Sequence, residues 1–203
     1  MFMADMKPHI RSALDRYRHF FIGFIVTVIV TVAFPAKASV IEGVRFENNV
    51  VYQSVRLELK GTALLKYMRI IKAYVGAIYL PSAIETEQVL DDVPKRLVLE
   101  YFRSIKAEDF RSATSRTIRK NISPEAFSQI EQRLAQLNAL YQDVEPKDRY
   151  ALTYIPGYGT ELALNAKPLG VIPGADLANA LFSIWIGPQP IDQKFRKTLL
   201  GLE

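Results

Sequence analysis

Cysteine is absent from the 203 residues, and the only two histidines are His9 and His19. Both precede an uncharged apolar run over 20–34, FFIGFIVTVIVTVAF, which follows a net basic stretch carrying Lys7, Arg11, Arg16 and Arg18. Pro35 ends that run, and Ala36-Lys37-Ala38 places small residues where a signal peptidase reads them. A membrane span needs roughly 20 apolar residues, and this run stops short. The order therefore predicts a secretory signal over 1–38, cleaved after Ala38, and a periplasmic domain over 39–203 that meets the membrane only during export.

Once that segment leaves, the domain has neither His nor Cys. Ser-His-Asp and Cys-His mechanisms are excluded, as are disulfides and the usual ligands of zinc, copper or haem, so no metal or cofactor is expected. Net charge is small as well. Five of the 26 Lys and Arg and two of the 21 Asp and Glu fall in 1–38, which leaves 21 against 19. The basic isoelectric point belongs largely to the signal and gives no argument for a nucleic-acid partner. The remaining 165 residues (203 less 38) suffice for one ordinary domain, and with no disulfide its stability must come from its core.

What the sequence does contain is β-branched and aromatic residues in long runs. The segment 61–80, GTALLKYMRIIKAYVGAIYL, has no proline and no acid, and its only charges are Lys66, Arg69 and Lys72. Three cations in its middle would be costly in lipid, and its Ile, Val and Tyr content favours a pleated surface, so it reads as strand. At a period of two, Lys66 and Tyr74 share a face, unless a bulge swaps the register between them. Two strands are expected over 40–60, and another over 95–105 with Leu97, Leu99, Tyr101 and Arg103 on one side.

Helical signals follow. Glu108 and Asp109 suit the first turn of a helix to Lys120, with Phe110, Ala113, Thr117 and Ile118 on one side. Ser123 caps a second helix that has Pro124 at its first position and a stripe of Phe127, Ile130, Leu134, Leu137 and Leu140. Strands resume over 150–155, 160–165 and 169–172, with the turn Pro156-Gly157-Tyr158-Gly159 between the first two. Two more helices end the chain, one carrying Leu177, Leu181, Ile184 and Trp185, the other capped by Asp192 and stopped at Gly201. Strands, helices, strands, helices, with no βαβ alternation, predict an α+β domain with helices packed on an antiparallel sheet.

Three stretches, residues 61–81, 92–110 (DVPKRLVLEYFRSIKAEDF) and 180–201 (ALFSIWIGPQPIDQKFRKTLLG), resemble the chalcone isomerase family in its bacterial chalcone-isomerase-like branch. The resemblance implies an open-faced β-sandwich, with a large antiparallel sheet, a helical layer on one face and a ligand cleft between them. Catalytic members close a flavanone ring with a strand Arg, a strand Thr, a helix Tyr and Asn seven apart, and a late Thr or Ser. Those positions fall here on Lys66, Tyr74, Phe110, Thr117, and Ser183 or Ile184. A phenyl ring cannot donate the hydrogen bond that would polarise a substrate carbonyl, so Phe110 argues against cyclisation and no catalytic residue is assigned.

Another branch of the family holds fatty acids without catalysis, through a basic side chain and a Tyr. Lys66 with Tyr74 would make such a clamp, and Phe110, Thr117 and Ser183 complete the expected ligand-binding set. The sequence thus favours a non-catalytic binder of a small apolar acid, a fatty acid or a phenolic. The alternatives are an isomerase or intramolecular lyase of unknown substrate, and an accessory protein acting through protein contact. Oligomeric state is left open.

Overall fold

The computed structural model describes residues 38–68 and 70–202, and these form one compact unit. The expected signal over 1–38 lies outside the described residues except for Ala38, which opens the first strand. Strands β1 (Ala38–Ile41) and β2 (Val44–Glu47) make a small hairpin. Seven more strands form one antiparallel sheet in chain order: β3 (Asn49–Tyr52), β4 (Val55–Tyr67), β5 (Ile71–Leu80), β6 (Lys95–Tyr101), β7 (Arg149–Ile155), β8 (Gly159–Leu164) and β9 (Lys167–Ile172). Helices α1 (Ala107–Asn121) and α2 (Pro124–Leu140) separate β6 from β7, and α3 (Ala175–Ile186) and α4 (Gln193–Leu200) end the chain. Among the described residues no helix is long and apolar enough to cross a membrane.

Alternation along the strands divides the apolar residues between two faces. Leu97, Leu99 and Tyr101 of β6 and Tyr150, Leu152 and Tyr154 of β7 face the helices and meet Ile118, Ile130, Leu134 and Leu137. The opposite residues, Val75, Ala77, Tyr79, Val98 and Ala151, form a second, smaller core under Val44 and Phe46 of the β1–β2 hairpin. Both cores lie wholly within 38–202, so the domain carries its own hydrophobic interior. The helix signals act as read. Ser123 Oγ accepts from the Ala126 N–H at 3.2 Å, Asp192 accepts from the Phe195 N–H at 2.7 Å, and Gly201 closes α4 in the left-handed conformation at φ 67°.

Two expectations change. Residues 40–60 hold not two strands but four, wholly or in part. Tight turns at Glu42-Gly43 and Gln53-Ser54, all at positive φ, divide the run into more pieces than the two expected strands. The segment 61–80 is the end of β4, a turn that includes Met68 and Ile70, and all of β5. An irregularity near Ala73 then shifts the register. At the tip Lys66 pairs with Lys72, but beyond it Leu65 pairs with Tyr74. Helix α4 packs tightly on these strands, because a Cβ on Gly61 would stand 2.2 Å from the Leu199 carbonyl oxygen and one on Gly76 would stand 2.7 Å from the Phe195 ring.

Candidate functional site: a tyrosine-walled cavity

Between the helical layer and the sheet lies a cavity of about 740 Å³. Its floor is strand: Ala73 and Tyr74 of β5, Leu97, Leu99 and Tyr101 of β6, Tyr150 and Leu152 of β7. Its roof is Phe110, Ala113 and Thr114 of α1, with Ile184 and Trp185 of α3 at one side. Ring contacts fix this wall. Phe110 stacks on Tyr141 with centroids 5.4 Å apart and meets Tyr101 and Tyr150 edge-on, also at 5.4 Å. Tyr74 packs edge-on against Tyr101 at 5.6 Å and against Phe195 at 5.6 Å. Offset and edge arrangements of this kind favour a fixed geometry over a fluid one.

The hydroxyls differ in what they have left to give. Tyr150 donates to the Gln142 carbonyl at 2.9 Å and accepts from the Gln142 N–H at 2.8 Å, so its capacity is largely used. Tyr141 shares a hydrogen bond of 3.2 Å with the Thr114 hydroxyl. Tyr74 accepts from Trp185 Nε1 at 3.0 Å, which leaves its own proton undirected. Tyr101, only 2% exposed, has a hydroxyl with no hydrogen bond among the described residues. Burial raises the pKa of all four phenols above the ordinary value, that of Tyr141 to about 12, so each stays a neutral donor at physiological pH.

Charge is confined to the rim. Arg103, just past β6, and Arg116 on α1 both line the cavity, are exposed, and have no ion-pair or hydrogen-bond partner among the described residues. Asp109 is the one acid in the lining. The interior therefore offers apolar surface and neutral donors, and the mouth offers cations.

Of the residues expected to bind, Tyr74 and Phe110 line this cavity. Lys66 does not, and its expected pairing with Tyr74 on one face is corrected by the irregularity at Ala73. Leu65 takes the place opposite Tyr74, and Lys66 turns to the other side, where it lines a separate hollow of about 720 Å³ with Ile41, Asp192 and Lys194. Thr117 is buried but outside the lining. Thr114, three residues earlier on the same helix, stands in the roof instead. Ser183 is also buried outside the lining, its hydroxyl donating to the Ala180 carbonyl at 2.7 Å, while its neighbour Ile184 faces the cavity. Sequence reasoning did not single out Tyr101, Tyr141, Arg103 or Arg116 as site residues. Only Tyr101 and Arg103 carried a signal, through their shared strand face. Among the described residues no group of three or more His, Cys, Asp or Glu is placed to hold a metal ion.

The described residues thus form an α+β domain, an antiparallel sheet with a helical layer and an apolar cavity between them. A family model for chalcone isomerase-like proteins matches residues 38–201, and the chain belongs to that family. No curated protein matches it in sequence. Among solved structures it is similar to a fatty-acid binding protein of Arabidopsis thaliana, with a TM-score of 0.64 at 15% identity over 81% of this chain and 96% of that one. At that identity the likeness is one of fold.

Proposed function

We propose that this protein is a non-catalytic binder of a small apolar carboxylic acid, a fatty acid or a phenolic acid. The observation that carries the reading is the cavity itself: about 740 Å³, within the usual range of ligand pockets, apolar inside and cationic only at its rim. An unpaired carboxylate in a dry interior is prohibitive, so the head group belongs at the mouth between Arg103 and Arg116 and the apolar body belongs inside. The unengaged Tyr101 hydroxyl offers an oxygen atom of the ligand a hydrogen bond. The fold shared with a fatty-acid binding protein supports the reading. We further propose that the domain is exported and processed to begin at Ser39. The family match beginning at residue 38 is in keeping with this.

Titration of a fluorescent fatty acid into the wild-type domain and into Ala113→Trp, which narrows the cavity from α1, tests the ligand. Saturable binding by the wild type and weaker binding by the variant, at an unchanged melting temperature, is expected. A wild type that does not bind sinks the reading. Intact mass of protein recovered from its own cell tests the processing, and a mass that still includes 1–38 overturns it.

A further inference from the structure

The turn joining β4 to β5 exposes large apolar side chains: Ile70 is 78% exposed, Met68 71% and Tyr67 61%. Single exposed apolar residues are ordinary, but a cluster on one turn is not. This cluster adjoins the cavity. Tyr67 and Ile71 belong to the cavity lining, as does Ile191, itself 45% exposed on the loop before α4. A shallow groove lined by Ile70, Ile71, Phe102 and Arg103 extends the same apolar surface.

The charges beside it are mostly positive. Lys66 is exposed at the base of the turn, and Arg103 and Arg116 at the mouth are unpaired among the described residues. Lys72 is engaged by Glu42 at 2.6 Å, and Asp109 is the acid of the rim. Apolar side chains able to enter the boundary between head groups and acyl chains, flanked by cations able to meet anionic head groups, are the two components of interfacial attachment.

We propose that the β4–β5 turn docks this domain on an anionic lipid bilayer with the cavity mouth against the surface. An apolar ligand then passes between bilayer and cavity without crossing water. The docking stands on the turn and its charges alone; only the transfer rests on the binder reading. A second copy of the chain fits the patch poorly. A two-fold contact would bring Lys66, Arg103 and Arg116 near their own images, and four apolar side chains fall well short of the roughly 20–30 residues a side of a stable interface.

The test is flotation of the domain 39–203, which contains both cores and lacks the apolar run over 20–34, with two kinds of vesicle. One is phosphatidylcholine alone, the other equal parts phosphatidylcholine and phosphatidylglycerol. Binding to the mixed vesicles, weakened by salt, is expected. The double variant Met68→Asp, Ile70→Asp should lose at least tenfold in vesicle affinity. It should keep its melting temperature and its fatty-acid affinity in vesicle-free solution, since neither side chain lines the cavity. Lys66→Gln, a surface change that spares the turn, should lose roughly fivefold. No flotation with anionic vesicles, or equal flotation of wild type and double variant, overturns the proposal. So does a concentration-dependent dimer that the double variant abolishes, which would assign the turn to a second copy. Flotation by a domain that binds no fatty acid leaves the docking standing and sinks the binder reading; fatty-acid binding without flotation does the reverse.

Discussion

Trp185 Nε1 donates to the Tyr74 hydroxyl at 3.0 Å, joining α3 to β5 at the cavity wall. Both side chains line the cavity, so this bond sets the position of the wall and also the direction in which the Tyr74 proton points. Tyr74→Phe removes the acceptor and leaves the indole N–H without it. A loss of about 0.5–1.5 kcal/mol in urea denaturation is expected, together with altered emission from Trp185, the chain's single tryptophan. Unchanged emission would mean that the bond is not formed in solution.

Lys66 and Arg103 make opposite predictions. Because Lys66 faces away from Tyr74, Lys66→Met should leave fatty-acid affinity in vesicle-free solution unchanged. Arg103→Met and Arg116→Met should each weaken it, by about 0.2–1 kcal/mol, a modest amount because both guanidinium groups are exposed and screened. Calorimetric titration checks this, and a large loss at Lys66 with none at the arginines would place the head group elsewhere.

Lys95 is fully buried, its ammonium donating to the carbonyls of Val89 at 2.9 Å and Asp91 at 2.7 Å and to Asn179 Oδ1 at 3.0 Å. Burial lowers its pKa to about 8, against the pull of Asp92 and Asp91 in the other direction. Between that value and the ordinary lysine pKa the unfolded chain binds more protons than the folded one, so stability rises with pH there. Raised tyrosine pKa values act in the opposite sense only above about pH 10. From pH 8 to 10 the wild type should therefore gain up to about 1.4 kcal/mol per pH unit relative to Lys95→Met. Parallel pH profiles for the two proteins would show that Lys95 titrates normally.

Gly61→Ala should destabilise the domain by about 1–3 kcal/mol, because its Cβ would stand 2.2 Å from the Leu199 carbonyl oxygen, a backbone atom that cannot rotate away. Thermal unfolding followed by circular dichroism measures it. A neutral substitution would indicate that α4 sits farther from β4.

Much of the fold could be read from the sequence because its signals are local. Alternation in 95–101 depends only on neighbouring side chains, and the Ser123 and Asp192 caps act within three residues of themselves. The face of α1 that meets the sheet follows from helix period, and it put Phe110 and Ala113 where the cavity has its roof. The resemblance covered nearly the whole domain and led to the same α+β architecture and the same family.

The site was less legible. Whether Lys66 or Leu65 stands opposite Tyr74 depends on one irregularity, which no alternation pattern reveals because the residues on both sides of it remain good strand formers. Arg103 follows β6 and Arg116 lies on α1, and only the packing of α1 over the sheet brings both into the lining of one cavity. Helix period put Thr117 on the buried side of α1, but that side also packs away from the cavity, and Thr114 is the threonine that reaches the lining. The sequence by itself determined which elements form and which of their faces are apolar, since those follow from residues close in the chain. The tertiary structure alone decided which side chains share a cavity and which cations remain unpaired, since both depend on strand register and on how far apart packed elements sit.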